Sequence, residues 1–262
     1  MLSWENTTFE IAAAGVDLAL LPVGAIEQHS YHLPIGTDWL SVQAVARLAA
    51  ERLNALLLPA LPYGNSQEHQ GFIGTIWLRP ETLARAVTDI VDALVHHGIR
   101  RIVIVNGHGG NRYILPQLIF ECLNRRKDYA LYLARVQNDP ALRQRLLETH
   151  YHAHACECET SIVMHLRGDL VEAEKIGMLD GTPQRDFDIG DVYSSVDWYS
   201  LHPTNYAGDA RTSSPEKGKA LFEDRARRLA DIIARIKQDQ RVPELLAEFY
   251  GRCEDFRGAA ST

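Results

Sequence analysis

A short segment near the start of the chain combines carboxylates with imidazoles. Glu27, His29, His32 and Asp38 occur within one stretch of the sequence, directly after an apolar run at residues 16–22 that predicts a buried strand ending in a loop. Glu27 and His29 are two residues apart, so in an extended segment both side chains project to the same side and can face a pair of metal ions. The alternative is a polar loop whose side chains only satisfy backbone groups. Taken as a whole, the cluster favours metal binding.

A further histidine, His108, follows another apolar run. Residues 101–105 predict a strand, and the turn after it contains Gly107, His108, Gly109 and Gly110. Glycines in such a turn permit close backbone approach, which also suggests a phosphate-binding loop. The glycine spacing does not match G-x-G-x-x-G, however, and a phosphate loop needs no histidine. We therefore expect His108 to be a metal ligand that meets the first cluster.

A third cluster lies at residues 150–161, at the start of a predicted helix, and contains His154, Glu157 and Glu159. Carboxylates are favoured at the positive end of a helix without any other role, so capping is the alternative interpretation for both glutamates. Capping does not explain the accompanying histidines. Cys156 is a weaker candidate for a catalytic nucleophile. Its C-x-C spacing with Cys158 forms no zinc motif, and we interpret both thiols as reduced and buried.

Apolar runs alternate with amphipathic segments along the chain, a pattern typical of βαβ units. The predicted strands are residues 16–22, 55–59, 101–105 and 129–134, and the predicted helices are residues 40–53, 80–97, 111–125, 157–167 and 215–238. This order predicts an α/β fold with a mostly parallel sheet covered by helices on both faces. Ligands of such sheets gather at the carboxyl ends of the strands, where the first two clusters occur.

Composition restricts the class of protein. Of the 262 residues, 46% are hydrophobic and 23% are charged, values typical of a globular protein. The apolar runs are too short to span a bilayer, and the first residues lack a signal-peptide pattern, so we expect a single cytoplasmic domain over residues 1–262. With 27 basic and 34 acidic residues the net charge is −7, without a Lys/Arg block, so we expect no nucleic-acid or membrane partner.

One long segment lacks regular periodicity. Residues 179–214 contain several Gly, Asp, Ser and Tyr, together with Trp198, Tyr199 and His202. A stretch of this length without secondary structure is usually functional in a compact domain. It predicts either a lid over the site or a surface that packs against the body or a neighbouring subunit.

Together these motifs resemble the creatininase (creatinine amidohydrolase) family. The resemblance is carried by residues 27–38, by residues 106–111 and by residues 154–161. Residues 69–75 resemble the family's short H-x-x-F-x-G-T element, and residues 208–211 with 216–218 resemble its later G-D-x-R and E-K-G elements. The matches follow the family order from about residue 18 to residue 235.

The resemblance implies a three-layer α/β sandwich, a site for two divalent ions and a homo-oligomer, commonly a hexamer. By position, Glu27, Asp38 and His108 would hold one ion, and His29 with a bridging Asp38 would hold the other. His154 would shuttle a proton and Glu159 would support the site. Such ligands suit Zn²⁺, Mn²⁺ or Fe²⁺.

Two departures from the family pattern affect the expected site. Creatininase has a carboxylate two residues after the histidine of its Asn-Gly-His motif, where this chain has Gly110. We therefore expect Glu157 to complete the second ion's shell. Creatininase also has tryptophans shortly before its shuttle histidine, and this chain has none between Asp128 and His154. Creatinine is therefore disfavoured as the substrate.

The expected function is metal-dependent hydrolysis of a C–N bond in a small cyclic amide or a formamide, with two bound cations activating a water. His154 would pass the proton to the departing nitrogen. One alternative is a hydrolase or isomerase acting on a C–C or C–O bond of a cyclic, sugar-like ketone. The other is a noncatalytic, metal-stabilised subunit, which would need no shuttle histidine.

Overall fold

A five-stranded parallel sheet lies at the centre of the fold. Its strands are β1 (Leu2–Ser3), β2 (Leu18–Val23), β3 (Leu56–Leu57), β4 (Arg101–Asn106) and β5 (Ala130–Arg135). The sheet order is β1-β3-β2-β4-β5, and every neighbouring pair is parallel. All four predicted strands are present. β2 is buried along its whole length, because a parallel strand is covered on both faces.

The computed structural model describes residues 1–51, 53–125, 128–135, 137–184, 190 and 192–255. Part of the predicted 179–214 segment therefore lies outside the described residues. The helices are α1 (Thr8–Ala14), α2 (Thr37–Ala50), α3 (Pro80–His96), α4 (Leu115–Glu121), α5 (Pro140–Leu146), α6 (Glu157–Arg167), α7 (Asp197–Leu201), α8 (Pro215–Gln238) and α9 (Arg241–Glu254). Within these ranges, none is both long enough and apolar enough to cross a bilayer.

Helices cover both faces of the sheet and create two apolar cores. On one face, Val42 of α2 and Leu229 of α8 pack with Leu20 of β2. On the other face, Val87 of α3 packs with Ile104 of β4 in a separate cluster. The predicted three-layer α/β sandwich is confirmed. Alternate residues of one strand supply opposite cores because side chains alternate across a strand.

The segment predicted as one helix over residues 111–125 is divided. A 3₁₀ turn at Gly110–Tyr113 precedes α4, and a second 3₁₀ turn at Cys122–Arg125 follows it. Pro116 lies in the first turn of α4. Proline lacks a backbone N–H, so it fits the start of a helix and interrupts a helix that continues through it.

A second, two-stranded sheet positions the third cluster. β6 (His152–His154) pairs antiparallel with β7 (Ala207–Gly208), and α6 begins three residues after β6. This small sheet carries His154 to the carboxyl-end edge of the central sheet. No sequence pattern predicts this sheet, because strands of two and three residues are too short to show alternation.

Candidate metal centre

The first two clusters meet at the carboxyl ends of β2 and β4. These strands are adjacent, with Val23 opposite Asn106. Glu27 and His29 follow β2, and His108 follows β4, so the parallel register brings the two loops together. Asp38 joins them from the first turn of α2, where the positive helix end favours a carboxylate.

One group of ligand atoms consists of Glu27, Asp38 and His108. His108 Nδ1 lies 2.8 Å from Asp38 Oδ2 and 3.3 Å from Glu27 Oε2. All three residues are buried. Their ligand atoms lie within 4.8 Å of one another, close enough to hold one metal ion together.

A second group consists of His29, Asp38 and Glu159. His29 Nε2 lies 3.5 Å from Asp38 Oδ1 and 3.9 Å from Glu159 Oε2. Asp38 belongs to both groups and presents a different oxygen to each histidine. A carboxylate arranged in this way can bridge two cations.

Backbone carbonyls fix the orientation of three histidines at the site. His29 Nδ1 lies 3.1 Å from the Glu27 carbonyl, His108 Nε2 lies 2.8 Å from the Asn65 carbonyl, and His154 Nε2 lies 2.7 Å from the Gln28 carbonyl. Since a carbonyl only accepts, each of these ring nitrogens carries the proton. The opposite nitrogen of each ring then faces the carboxylates, which is the arrangement typical of metal-ligating histidines.

Two residues in left-handed conformations assist this orientation. Ser30, after His29, has φ 57°, and Ala155, after His154, has φ 53°. Residues other than glycine adopt this conformation at a cost of about 1–3 kcal/mol, and such strain concentrates at functional sites. The turn after each histidine therefore holds its ring towards the cluster.

The protonation behaviour of the cluster follows from its opposite charges. Burial opposes charge on Glu27, but the neighbouring His108 and His69 hold the pKa of Glu27 well below its usual value. Burial likewise opposes charge on His29, yet Asp38, Glu159 and Glu27 raise the pKa of His29 to about 9. Burial and the neighbouring His29 and His69 lower the pKa of His154 well below its usual value.

The donor set fits divalent metal ions. Among the described residues, the buried atoms Glu27 Oε2 and His29 Nε2 have no hydrogen-bond partner. Leaving buried polar atoms unpaired is costly, so such atoms normally require an explanation. Carboxylate oxygens and imidazole nitrogens directed at one point are the ligands of Zn²⁺, Mn²⁺ and Fe²⁺.

His154 faces the same cluster from β6. Its Nδ1 lies 3.6 Å from Glu27 Oε1, and its ring centroid lies 4.1 Å from that of His29. Glu27, His29 and His154 form a third group that could hold a metal ion. The geometry therefore permits His154 either as a ligand or as a proton carrier beside the ions.

A cavity of about 300 Å³ opens onto these residues. Its walls include Glu27, Asp38, His108, His154 and Glu159. Glu68, His69, Arg112 and Trp198 form further parts of the wall. The cavity is polar and small, and it joins the carboxylates and imidazoles to the outside.

Comparison with known proteins agrees with this geometry. Residues 3–233 match the family described as Creatininase: creatinine amidohydrolase. The chain belongs to the creatininase family. It is 33% identical over 249 residues to the creatinine amidohydrolase of Pseudomonas putida, covering 88% of this chain and 94% of the relative. It is 29% identical over 237 residues to a mycofactocin precursor peptide peptidase of Mycolicibacterium smegmatis, covering 86% and 87%.

Solved creatininase structures share the fold of this family member. The crystal structure of creatinine amidohydrolase superimposes with a TM-score of 0.77 at 32% identity, covering 89% of this chain and 97% of the other. Related creatininase structures are described as an Mn form and, for a variant, as a Zn–Zn type. The protein is thus a hydrolase of the creatininase family with groups suited to metal ions.

The structure does not bring Glu157 to the cluster, contrary to the prediction. Its carboxylate accepts hydrogen bonds from Lys217 Nζ at 2.6 Å and from the backbone N–H groups of Glu148 and Thr149 at 3.0 and 2.9 Å. These contacts, with Lys217 first, outweigh burial and lower the pKa of Glu157 to about 2. Residues two apart on a helix point in nearly opposite directions, so Glu159 faces the site and Glu157 faces away.

Gly110 occupies the position at which creatininase carries a carboxylate, and here no side chain fits. A Cβ at residue 110 would lie 2.1 Å from the Asn65 carbonyl oxygen, 2.5 Å from His108 Nε2 and 2.7 Å from Glu68 Oε1. The Asn65 carbonyl that orients His108 thus fills this space. The loop after β3 and the glycine turn after β4 are packed against each other.

His69 and Asn205 belong to the site although the sequence did not identify them as site residues. His69 Nε2 lies 3.6 Å from Glu27 Oε2, and its ring stacks on His154 with centroids 4.8 Å apart. Asn205 Oδ1 accepts from His69 Nδ1 and, at 2.8 Å, from Trp198 Nε1. Asn205 Nδ2 donates to the Gln28 carbonyl at 3.1 Å. The sequence predicted no catalytic or metal-binding role for His69, since an isolated histidine in a 3₁₀ turn has no spacing signal.

Proposed function

We propose that this creatininase-family member hydrolyses a C–N bond in a small cyclic amide or a formamide, using a site for two divalent ions. The observation that carries the proposal is the position of Asp38, whose two oxygens face two separate histidines, each within its own ligand group. Zn²⁺ and Mn²⁺ suit these donors, and Fe²⁺ is also compatible.

Each ligand residue has an assigned place in this proposal. Glu27, Asp38 and His108 hold one ion, and His29, Asp38 and Glu159 hold the other. Glu159 replaces Glu157, because Glu159 Oε2 lies 3.9 Å from His29 Nε2 while Glu157 is engaged by Lys217. Three carboxylates offset much of the charge of two dications in a partly buried site.

When bound, the two ions lower the pKa of a water and polarise the substrate carbonyl. His154 then handles the proton. Its Nε2–H donates to the Gln28 carbonyl, so Nδ1 keeps a free lone pair beside Glu27. The lowered pKa of His154, caused by burial and the neighbouring imidazoles, favours the neutral form that can accept a proton. It passes that proton to the nitrogen as the C–N bond breaks, which gives a carboxylate and an amine, both in one ring-opened product when the amide is cyclic.

The test compares His154→Ala with wild type after loading with Zn²⁺ or Mn²⁺. We expect hydrolysis of cyclic amides and formamides to fall by about 10²–10⁴-fold, the usual contribution of general acid–base catalysis. Metal content, measured by elemental analysis, should not change. His96→Ala, an exposed histidine at the end of α3, is the control.

Three outcomes would contradict the proposal. Loss of metal together with activity would assign His154 as a ligand, as its group with Glu27 and His29 permits. Full activity in His154→Ala would show that His154 does not transfer the proton. If no amide is hydrolysed by metal-loaded wild type, the noncatalytic alternative is favoured.

A linear peptide amide is a second candidate substrate. The site cavity adjoins a larger groove of about 630 Å³, more room than a small ring needs. One relative at 29% identity is a peptide peptidase. A panel that includes short peptides beside cyclic amides and formamides separates the two candidates by their kcat/KM values.

We also propose that residues 1–262 act as one cytoplasmic catalytic domain that assembles as a homo-oligomer, with a hexamer expected. Ile35, Ile73, Ile76 and Trp77 are exposed apolar side chains close to one turn, and Ile73 is fully exposed. Exposed apolar surface of this kind favours association of subunits. Light scattering of the purified protein gives the subunit number, and a monomeric mass would contradict this part of the proposal.

A further inference from the structure

The metal-site cavity continues into a second, larger cavity, here called the outer groove. The outer groove has a volume of about 630 Å³ and shares Glu68, Arg112 and Trp198 with the site cavity. These three side chains therefore form a neck between the reacting groups and the outside. A substrate that reaches the ligands and also fills the groove must pass them.

Arg112 is the only Lys or Arg among the described residues that line either cavity. Its Nη2 donates to the Tyr113 hydroxyl at 2.7 Å, and its guanidinium lies over the Tyr113 ring, 4.7 Å from the centroid. Within the described part of the chain, no carboxylate forms an ion pair with it, whereas acidic residues pair with many other arginines. Arg112 is thus held by an aromatic ring with its charge unpaired.

The position of Arg112 is fixed relative to the metal ligands. It lies in the 3₁₀ turn Gly110–Tyr113, which begins two residues after His108. Asn111 anchors this turn, because its side chain accepts from the Asn65 N–H at 2.9 Å and donates to the Gly24 carbonyl at 3.3 Å. A substrate group bound by Arg112 would therefore lie within the reach of one arginine side chain from this anchored turn, beside the metal ligands.

We propose that Arg112 binds a carboxylate on the nonreacting part of the substrate and so determines specificity. The inference deepens the linear-amide candidate of the proposed hydrolase function and rests on it. A guanidinium binds a carboxylate through two parallel hydrogen bonds, which fixes the orientation of the bound group as well as its charge. The substrate class is then an acyl amide that carries a free carboxylate, such as an N-acylamino acid or the C-terminal part of a peptide.

The binding experiment uses the metal-loaded full chain and two probes that differ only in charge, N-benzoylglycine and its primary amide. Calorimetry measures both affinities for wild type, Arg112→Gln and Arg112→Lys. Arg85→Gln, an exposed arginine on α3 outside both cavities, is the matched control. The carboxylate can also contact the metal ions directly. The informative quantity is therefore the loss of affinity that is caused by replacing Arg112.

We expect Arg112→Gln to weaken binding of N-benzoylglycine about tenfold, as for a hydrogen bond to a charged group. Binding of the amide should change less than twofold. Arg112→Lys keeps the charge without the planar pair of donors and should give an intermediate loss. Equal binding of N-benzoylglycine by wild type and Arg112→Gln would overturn the inference, as would the absence of measurable binding to wild type.

Kinetics separate this inference from the proposed function. Among hydrolysed compounds, those with a free carboxylate should show a higher KM in Arg112→Gln, while kcat and all metal contents stay close to wild type. Hydrolysis without any such change contradicts the inference alone. If nothing is hydrolysed but the carboxylate preference in binding depends on Arg112, the proposed reaction fails and the carboxylate site stands.

Discussion

At the scale of single residues, the site depends most on Asp38. Its two oxygens face His29 and His108 from one buried side chain, so it belongs to both ligand groups. Glu27 and His29 each contribute a buried atom that lacks a hydrogen-bond partner among the described residues. Replacing Asp38, which both proposed ion sites share, should therefore reduce metal binding more than replacing a ligand of one site only.

We expect Asp38→Ala to lose both ions and His29→Ala to weaken mainly one, because Asp38 alone belongs to both of the proposed ion sites. Elemental analysis after purification with excess Zn²⁺ and Mn²⁺ measures the stoichiometry. Asp169→Ala, an exposed carboxylate paired with Arg167, is the control and should keep the wild-type content. Less than about one ion per chain in wild type would refute the two-ion site.

At the scale of secondary structure, the orientation of α6 assigns different roles to its first two glutamates. Glu157 and Glu159 both lie in the first turn. Glu157 is fully buried against Lys217 and the backbone at residues 148–149, and so fastens the segment that leads into β6. Glu159 accepts from the Ala155 N–H at 2.7 Å and faces His29.

We expect Glu157→Gln to lower stability by about 2 kcal/mol, since it removes a charged, buried acceptor while Lys217 keeps Glu148 and the Thr212 carbonyl as partners, and to leave metal content unchanged. Because the pKa of Glu157 is lowered to about 2, its contribution is present above its unfolded-state pKa and is lost as pH falls towards about 2. Glu159→Gln should instead lower metal content with a smaller effect on folding. Chemical denaturation and elemental analysis of both variants check this. Loss of metal in Glu157→Gln but not in Glu159→Gln would instead assign Glu157 as the metal ligand.

Helix α7 brings an aromatic wall to the site. The Trp198 ring lies 5.4 Å from His69 and 5.9 Å from His154, and its Nε1–H bonds to Asn205. Tyr199, by contrast, is exposed. Trp198 is therefore placed to enclose the substrate, as a lid residue would be.

We expect Trp198→Ala to raise KM or lower kcat while metal content and oligomer size stay unchanged, because it removes a wall shared by the site cavity and the outer groove. Steady-state kinetics with light scattering measures both properties. Trp4→Ala, a half-exposed residue outside both cavities, is the control. Unaltered kinetics with a changed oligomer would make α7 an assembly element instead.

At the scale of the whole molecule, ligands from four separate parts of the chain meet only when the sheet and α6 are assembled. Residues 27 and 29, residue 38, residue 108 and residue 159 are far apart in an unfolded chain. An ion that binds this arrangement therefore binds the folded state and stabilises it. Folding and metal binding should be measured together.

We expect metal loading to raise Tm and metal affinity to increase as pH rises towards about 9. The pKa of His29 is raised to about 9, so at neutral pH an ion must displace its proton. In the metal-free protein, folding stability changes with pH in the opposite direction to metal affinity. The stabilisation from charged His29 is complete below about pH 6.5 and is lost as pH rises through about 9.

Calorimetric titration in buffers of different ionisation enthalpy counts the protons released. Thermal denaturation between pH 6 and pH 9.5, with and without metal, measures stability, and His29→Gln isolates the contribution of this residue. Metal affinity that does not change between pH 7 and pH 9 would contradict the role given to His29.

The sequence by itself determined the alternation of strands and helices and the residue types of the site. Apolar periodicity is a local property, so four strands and the helices at residues 157–167 and 215–238 were predicted closely. The parallel arrangement then required the loops after β2 and β4 to lie at the same edge of the sheet. The strand order, which places β2 next to β4, was decided by the tertiary structure and brought Glu27, His29, Asp38 and His108 together.

Only the tertiary structure decided which neighbouring side chains face the ions. Glu157 and Glu159 have the same type and almost the same position in sequence, and the rotation of α6 about its axis, set by packing against α8, separates them. His69 and Trp198 reach the site from a 3₁₀ turn and a short helix without periodicity. Contacts between distant segments fix such orientations, and no local pattern in the sequence records them.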